Sequence, residues 1–155
     1  TRGCSSTPVE GRVTRESPRP ARAAPRPPSL ALPIDTPRLR LRDFEPRDLP
    51  AMAGWSADPR VTKHLLFGPR DAEAARRHLD GVIQAQSSRR RRFWELAIER
   101  AADAAILGAC DLTLQSREEL EVGYLLARPH WGQGYATEAL RAVLAVARRR
   151  PIVGY

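Results

Sequence analysis

From Pro37 the residues Arg38-Leu39-Arg40-Leu41-Arg42-Asp43-Phe44 alternate with period two, the pattern of a strand with one solvated face. Glu45-Pro46-Arg47-Asp48 then opens a helical stretch through Trp55, and Asp58-Pro59 has the cap-then-proline form of another short helix. Between Asp71 and Gln86 the apolar positions Ala75, Leu79, Val82 and Ile83 recur at helical spacing, with Arg76, Arg77 and Asp80 off that face. Three strand-like segments follow: Phe93 to Glu99, Ile106 to Leu114 and Leu120 to Ala127. The connections around Ala101 to Ala104 and Ser116 to Glu118 are short enough for hairpins, so a meander is predicted. A last amphipathic helix carries Ala136, Ala139, Leu140, Val143, Leu144 and Ala147 on one face, and Arg148-Arg149-Arg150 suits its C-terminus. Pro151 stops it, and Ile152-Val153-Gly154-Tyr155 reads as the opening of another strand.

Composition narrows what this pattern can be. A chain of 155 residues supports one domain with its own core. No apolar run approaches the roughly 20 residues of a membrane helix. Seven of the 14 prolines lie between Thr1 and Pro33 among Ser, Arg, Ala and Gly, without apolar periodicity, so residues 1–33 are predicted to be a disordered tail and 34–155 the domain. No secretory signal is legible there, and two cysteines, Cys4 and Cys110, make neither a disulfide framework nor a cysteine zinc site. A reducing cytoplasm is the expected setting. The formal net charge is +8, of which the tail carries +4, and every basic residue except Lys63 is arginine. So thin a spread over the domain reads as a solvated basic surface, and nucleic acid is not the expected partner. The Arg89 to Arg92 run reads as a solvated loop.

The chemistry centres on Arg128-Pro129-His130-Trp131-Gly132-Gln133-Gly134, between a strand and a helix. Gly132 and Gly134 allow an anion close to the backbone, and the N–H groups from Gly132 to Ala136, with the positive end of the helix, make a phosphate site. A helix cap with incidental glycines accounts for the same residues. The dinucleotide fingerprint fails for want of a third glycine and a βαβ unit, and the Walker pattern for want of Gly-Lys-Ser/Thr. His64 and His78 have no spaced ligand partner, so no metal is expected. Trp94, with Leu96 and Ile98, reads as core, Cys110 as packing, and His130 as a surface loop residue.

Several segments together resemble the GNAT acetyltransferases, in particular the branch that acetylates ribosomal-protein N-termini. They are Asp35-Thr36-Pro37-Arg38-Leu39-Arg40-Leu41-Arg42, Phe93-Trp94 through Glu99, Ile106-Leu107-Gly108, Glu121-Val122-Gly123-Tyr124-Leu125-Leu126, and Trp131-Gly132-Gln133-Gly134-Tyr135-Ala136-Thr137-Glu138-Ala139-Leu140. They follow the family's order from about Ile34 to Tyr155. The resemblance implies an α/β (α+β) fold with a mixed, largely antiparallel sheet flanked by helices, cut off at the start of the family's fifth strand. It also implies transfer of acetyl from acetyl-CoA to a primary amine, a protein N-terminus or a small amine, by direct attack in a ternary complex.

In that scheme Leu125, Leu126 and Ala127 offer backbone groups to the pantetheine, and Gly132, Gln133, Gly134, Tyr135 and Ala136 receive the pyrophosphate. Pro129 stands where the family usually has Arg or Gln and lacks an N–H. A protonated amine cannot attack a thioester, so a base is required, and Glu121 is the first candidate. Its plainer reading is a solvent-facing strand carboxylate. Glu95 and Glu99 are further candidates for the base or, instead, for binding a cationic acceptor. The family's general acid lies in a segment beyond Tyr155. The alternatives are therefore a truncated, inactive remnant or noncatalytic CoA-binding module, and a basic interaction protein acting through its tail. A homo-oligomer is left open.

Overall fold

A computed structural model describes residues 30–149 apart from 64, 66, 89–90 and 116–118. Most of the expected tail, the Ser116 to Glu118 connection, part of the Arg89 to Arg92 run, Arg150 and the strand opening at Ile152 lie outside the described residues.

The expected first strand forms as β2 (Leu39–Asp43), preceded by a two-residue strand β1 (Ile34–Asp35) that the hydrophobic pattern does not announce. Leu30 and Leu32, upstream of the expected domain start, also pack against the core. The helical stretch after β2 resolves into a 3-10 turn, Pro46–Asp48, and α1 (Leu49–Ala57). The short helix α2 (Pro59–Thr62) is capped by Asp58, which accepts from the Arg60 N–H at 2.9 Å. Asp71 caps α3 (Ala72–Gln86) in the same way through the Ala74 N–H at 2.7 Å. Then come β3 (Phe93–Arg100), β4 (Ile106–Leu114), β5 (Leu120–Leu126), a 3-10 turn Arg128–His130, and α4 (Tyr135–Arg149).

The sheet is an antiparallel meander in the order β1-β2-β3-β4-β5, with short connections from β1 to β2, β3 to β4 and β4 to β5, and with α1, α2 and α3 between β2 and β3. Leu41 stands opposite Ile98, Ile98 opposite Gly108, and Gly108 opposite Leu126. The sheet separates two apolar clusters. Leu39, Leu41, Trp94, Leu96, Ile98 and Leu107 face α4 through Tyr135, Ala139 and Val143. On the other face Ala97 and Ala109 meet Phe44, Met52, Trp55, Leu79 and Val82 from the region of α1 and α3. The central strand β3 is thus buried on both sides, and its two glutamates enter the interior with partners. Glu99 takes Arg42 Nε at 2.6 Å, while the other guanidinium nitrogens of Arg42 clasp Asp48 at 2.8 and 2.9 Å.

Candidate active site

The glycine turn links the outer strand β5 to α4. Gly132 has φ +72° and Gly134 φ +78°, the left-handed region that costs a residue with a Cβ most. The first N–H groups of a helix have no intrahelical acceptor. Here the Glu138 N–H reaches the Gly134 carbonyl at 3.0 Å, and the N–H groups ahead of it stand at the positive end of α4. Three contacts fix the turn. The Gln133 side chain donates to the Pro129 carbonyl at 2.9 Å, Arg38 donates to the Gln133 carbonyl at 3.0 Å, and Trp131 Nε1 donates to the Leu126 carbonyl at 2.7 Å.

Along β5 the backbone direction alternates. The Ala127 N–H goes to the Leu107 carbonyl at 2.8 Å. With the register Ala109 to Leu125 and Asp111 to Gly123, the polar groups of Leu125 and Gly123 therefore also turn into β4, and those of Tyr124 and Leu126 turn outward. Of Leu125, Leu126 and Ala127 only the Leu126 N–H is open at the border of the sheet, since the Leu126 carbonyl is taken by Trp131 Nε1 and the Ala127 carbonyl by the His130 N–H at 3.0 Å. Leu125 contributes its side chain instead. It lines a cleft of about 510 Å³ with Val61, Leu126, Trp131, Gly132 and Ala136, which brings the border of β5 and the glycine turn into one space. Tyr135 is buried and lies under the Arg38 guanidinium at 4.6 Å, so only its backbone belongs to the turn's open side.

The carboxylates gather on the α1–α3 face. The register places Glu95 opposite Asp111, Asp111 opposite Gly123, and Thr113 opposite Glu121, so Asp111 stands between Glu95 and the end of β5 that carries Glu121. Glu121 is exposed and accepts from Gln115 Nε2 at 2.6 Å. Glu95 is buried, with His78 Nε2 at 3.0 Å from its Oε1, beside a second cleft of about 280 Å³. Glu99 spends its charge on Arg42 and has no part in this group. Asp111 is the carboxylate in this group that sequence reasoning did not single out. Burial pushes its carboxyl above the ordinary range, and the negative charges of Glu95 and Glu121 add to the rise. A Cβ on Gly123 would sit 2.5 Å from Asp111 Oδ1, so the glycine makes room for this carboxylate. The signal was one charge inside the apolar strand ILGACDLTL, uninterpretable until the register put a glutamate and a glycine beside it.

The remaining candidates fall where the sequence put them, with details added. Trp94 is core. His130 is half-buried, and burial with the nearby charge of Arg100 lowers its pKa, which keeps the ring neutral at neutral pH. Burial raises the Cys110 thiol to about 12, with Asp111 adding to the effect. Among the described residues no three His, Cys, Asp or Glu side chains are spaced to hold a metal ion, and no helix is long and apolar enough to cross a membrane.

Residues 38–154 match the family model described as the acetyltransferase (GNAT) domain. A Bacillus licheniformis protein named uncharacterized N-acetyltransferase p20 is 28% identical over 112 residues, which cover 70% of this chain and 62% of that protein, so the chain spans less than two thirds of that relative's length. Among solved structures, a GNAT-family acetyltransferase from Bacillus anthracis superposes with a TM-score of 0.66 at 20% identity, covering 76% of this chain and 67% of its own. RimL, a ribosomal alpha-N-protein acetyltransferase, superposes in its apo form with a TM-score of 0.65 at 21% identity over 79% of this chain and 67% of its own, and it is also known in complex with coenzyme A. These two likenesses show the fold.

Proposed function

The chain belongs to the acetyltransferase (GNAT) family, and on that premise we propose that it transfers an acetyl group from acetyl-CoA to a primary amine, with a protein N-terminus as acceptor. The observation that carries the reading is the junction of the β5 border with the glycine turn in one cleft of about 510 Å³. The residues suit the donor: two glycines without Cβ atoms, unpaired N–H groups at a helix start, and the outward backbone of Tyr124 with the Leu126 N–H beside an apolar wall. Acetyl-CoA supplies the thioester. The Gly132 to Ala136 N–H groups receive its pyrophosphate, and the Leu126 N–H aligns the pantetheine.

An amine at neutral pH must lose a proton before it attacks. Glu121, exposed at the far end of β5, takes that proton through water, and Asp111 and Glu95 keep the acceptor side of the sheet negative, which draws in a cationic amine. Glu95 rather than Glu99 has the acceptor-binding part, because Glu99 neutralises Arg42. A protein N-terminus corresponds to the acceptor that RimL's name states for RimL. The reading sets the reaction in the cytoplasm, where Cys110 stays a free thiol.

The test is acetyl transfer to peptides with free N-termini, followed by peptide mass and by release of the CoA thiol from acetyl-CoA. Wild-type chain should acetylate, and Glu121→Gln should lower kcat by about 100-fold, the lower range of general-base catalysis, with acetyl-CoA binding intact. Acetyl-CoA binding without transfer to any amine would instead identify a noncatalytic CoA-binding module. Absence of binding would overturn the reading.

A further inference from the structure

Arg38 sits in the β1–β2 connection, about half exposed, where a hairpin arginine would ordinarily point to solvent. Instead it reaches across to the far end of the chain. Its Nε lies 2.7 Å from Glu138 Oε2, its backbone N–H 3.0 Å from Glu138 Oε1, and its Nη1 3.0 Å from the Gln133 carbonyl. Thr36 Oγ1 donates to the same Glu138 Oε1 at 2.7 Å, and the guanidinium lies 4.6 Å from the centre of the Tyr135 ring. Burial alone would raise the Glu138 carboxyl, but the hydrogen bonds from Thr36 and Arg38 and the charge of Arg38 outweigh it and hold the group below its ordinary range. Glu138 is therefore ionised at neutral pH.

The consequence lies in the peptide plane that Arg38 grips. In a trans peptide the carbonyl of one residue and the N–H of the next point in opposite directions. With the Gln133 carbonyl held by Arg38, the Gly134 N–H is aimed away from Arg38. Gly132 and Gly134, both left-handed, are the positions where this backbone would otherwise be freest to rotate. The charge of Arg38 is already matched by Glu138, so its part is to fix the donors rather than to neutralise a ligand.

We propose that Arg38 is a positioning residue for the donor, a strut from the β1–β2 connection that locks the Gly132 to Ala136 turn in the form that receives pyrophosphate. The proposal rests on the acetyl-CoA reading above, and it adds a residue remote in sequence from the turn.

S-acetylpantetheine carries the same thioester arm without the pyrophosphate, so it separates positioning of the turn from general packing. Binding of acetyl-CoA and of S-acetylpantetheine is measured by calorimetry for the wild-type chain, Arg38→Met and Arg38→Lys, with folding checked by far-UV circular dichroism. Arg38→Met should weaken acetyl-CoA on the order of tenfold, what loss of one hydrogen bond to a charged group converts to, and leave S-acetylpantetheine within about twofold. Arg38→Lys keeps the charge and stem but cannot span both Gln133 and Glu138. It should behave like Arg38→Met, and it decides the question if the methionine variant does not fold. Glu138→Gln, which removes the charge at the other end of the strut, should shift acetyl-CoA in the same direction. Unchanged acetyl-CoA binding in the Arg38 variants, or parallel loss of both donors, would overturn the proposal while the reading of the site stands. A wild-type chain that does not prefer acetyl-CoA to S-acetylpantetheine would overturn the pyrophosphate reading and the strut with it.

Discussion

Asp111 and Cys110 are neighbours on β4 whose side chains leave opposite faces of the sheet, and both are shifted toward their neutral forms by burial. For Cys110, with its thiol near 12, iodoacetamide at pH 8 should leave the native side chain unmodified and alkylate it in denaturant, as read by peptide mass. For Asp111 the consequence is a pH dependence. Its folded pKa lies above the unfolded one, so the folded chain binds this proton more tightly. That contribution is complete below the unfolded value, about 3.9, and is lost as pH rises through the folded value. Ionised Asp111 is then a liability at neutral pH. Asp111→Asn should raise the unfolding midpoint at pH 7, and its advantage should vanish below about pH 4, as followed by thermal melts across that range. Neither shift was legible in the chain alone. The sequence places both residues on a strand, but which charges face Asp111 depends on the register of β3, β4 and β5, a long-range property.

Elements with a sustained period were legible, and short ones were not. α3 and α4 each show a helical stripe over 15 residues, and β4 forms with the bounds its apolar run suggests. β1 has two residues, too few to alternate, and exists because the Thr36 to Leu39 connection lets it lie back on β2. The carboxylates of β3 posed a different problem. Strand periodicity marks Glu95 and Glu99 as one face but cannot say that the face is covered by α1 and α3. What makes Glu99 tolerable there is Arg42, whose pKa is raised chiefly by its hydrogen bonds to Asp48, with burial opposing and Glu99 adding. Arg42 joins β2, β3 and the 3-10 turn ahead of α1 in one ion network. Arg42→Met would leave Asp48 and Glu99 buried without a cation, and it should destabilise the chain by about 3–5 kcal/mol in urea titrations. A loss within the range of an exposed pair, about 1 kcal/mol or less, would mean that water reaches these carboxylates.

At the scale of the molecule, one sheet carries a core on each face, and the three tryptophans sample the two cores and the cleft. Trp94 belongs to the cluster under α4, Trp55 to the cluster under α1 and α3, and Trp131 lines the cleft, bonded to the Leu126 carbonyl. Because β3 and β4 supply side chains to both clusters, neither core can come apart without unpairing the strands of the other. Unfolding should therefore be cooperative. In variants that keep only Trp55 or only Trp94, the others being Phe, the thermal transition by fluorescence should coincide with that by far-UV circular dichroism. Acetyl-CoA at 100 times its Kd adds about 2.7 kcal/mol to the native state, which for a domain of this size is a rise of about 10 °C. Although the cleft touches one end of the sheet, the rise should be the same by both probes, since linkage acts on the whole cooperative unit. At 25 °C the response should be local: acetyl-CoA should change the emission of a Trp131-only variant and leave a Trp55-only variant unchanged. A midpoint shift confined to one probe would mean that the two cores unfold separately, and that the sheet between them does not couple the cleft to the α1–α3 side.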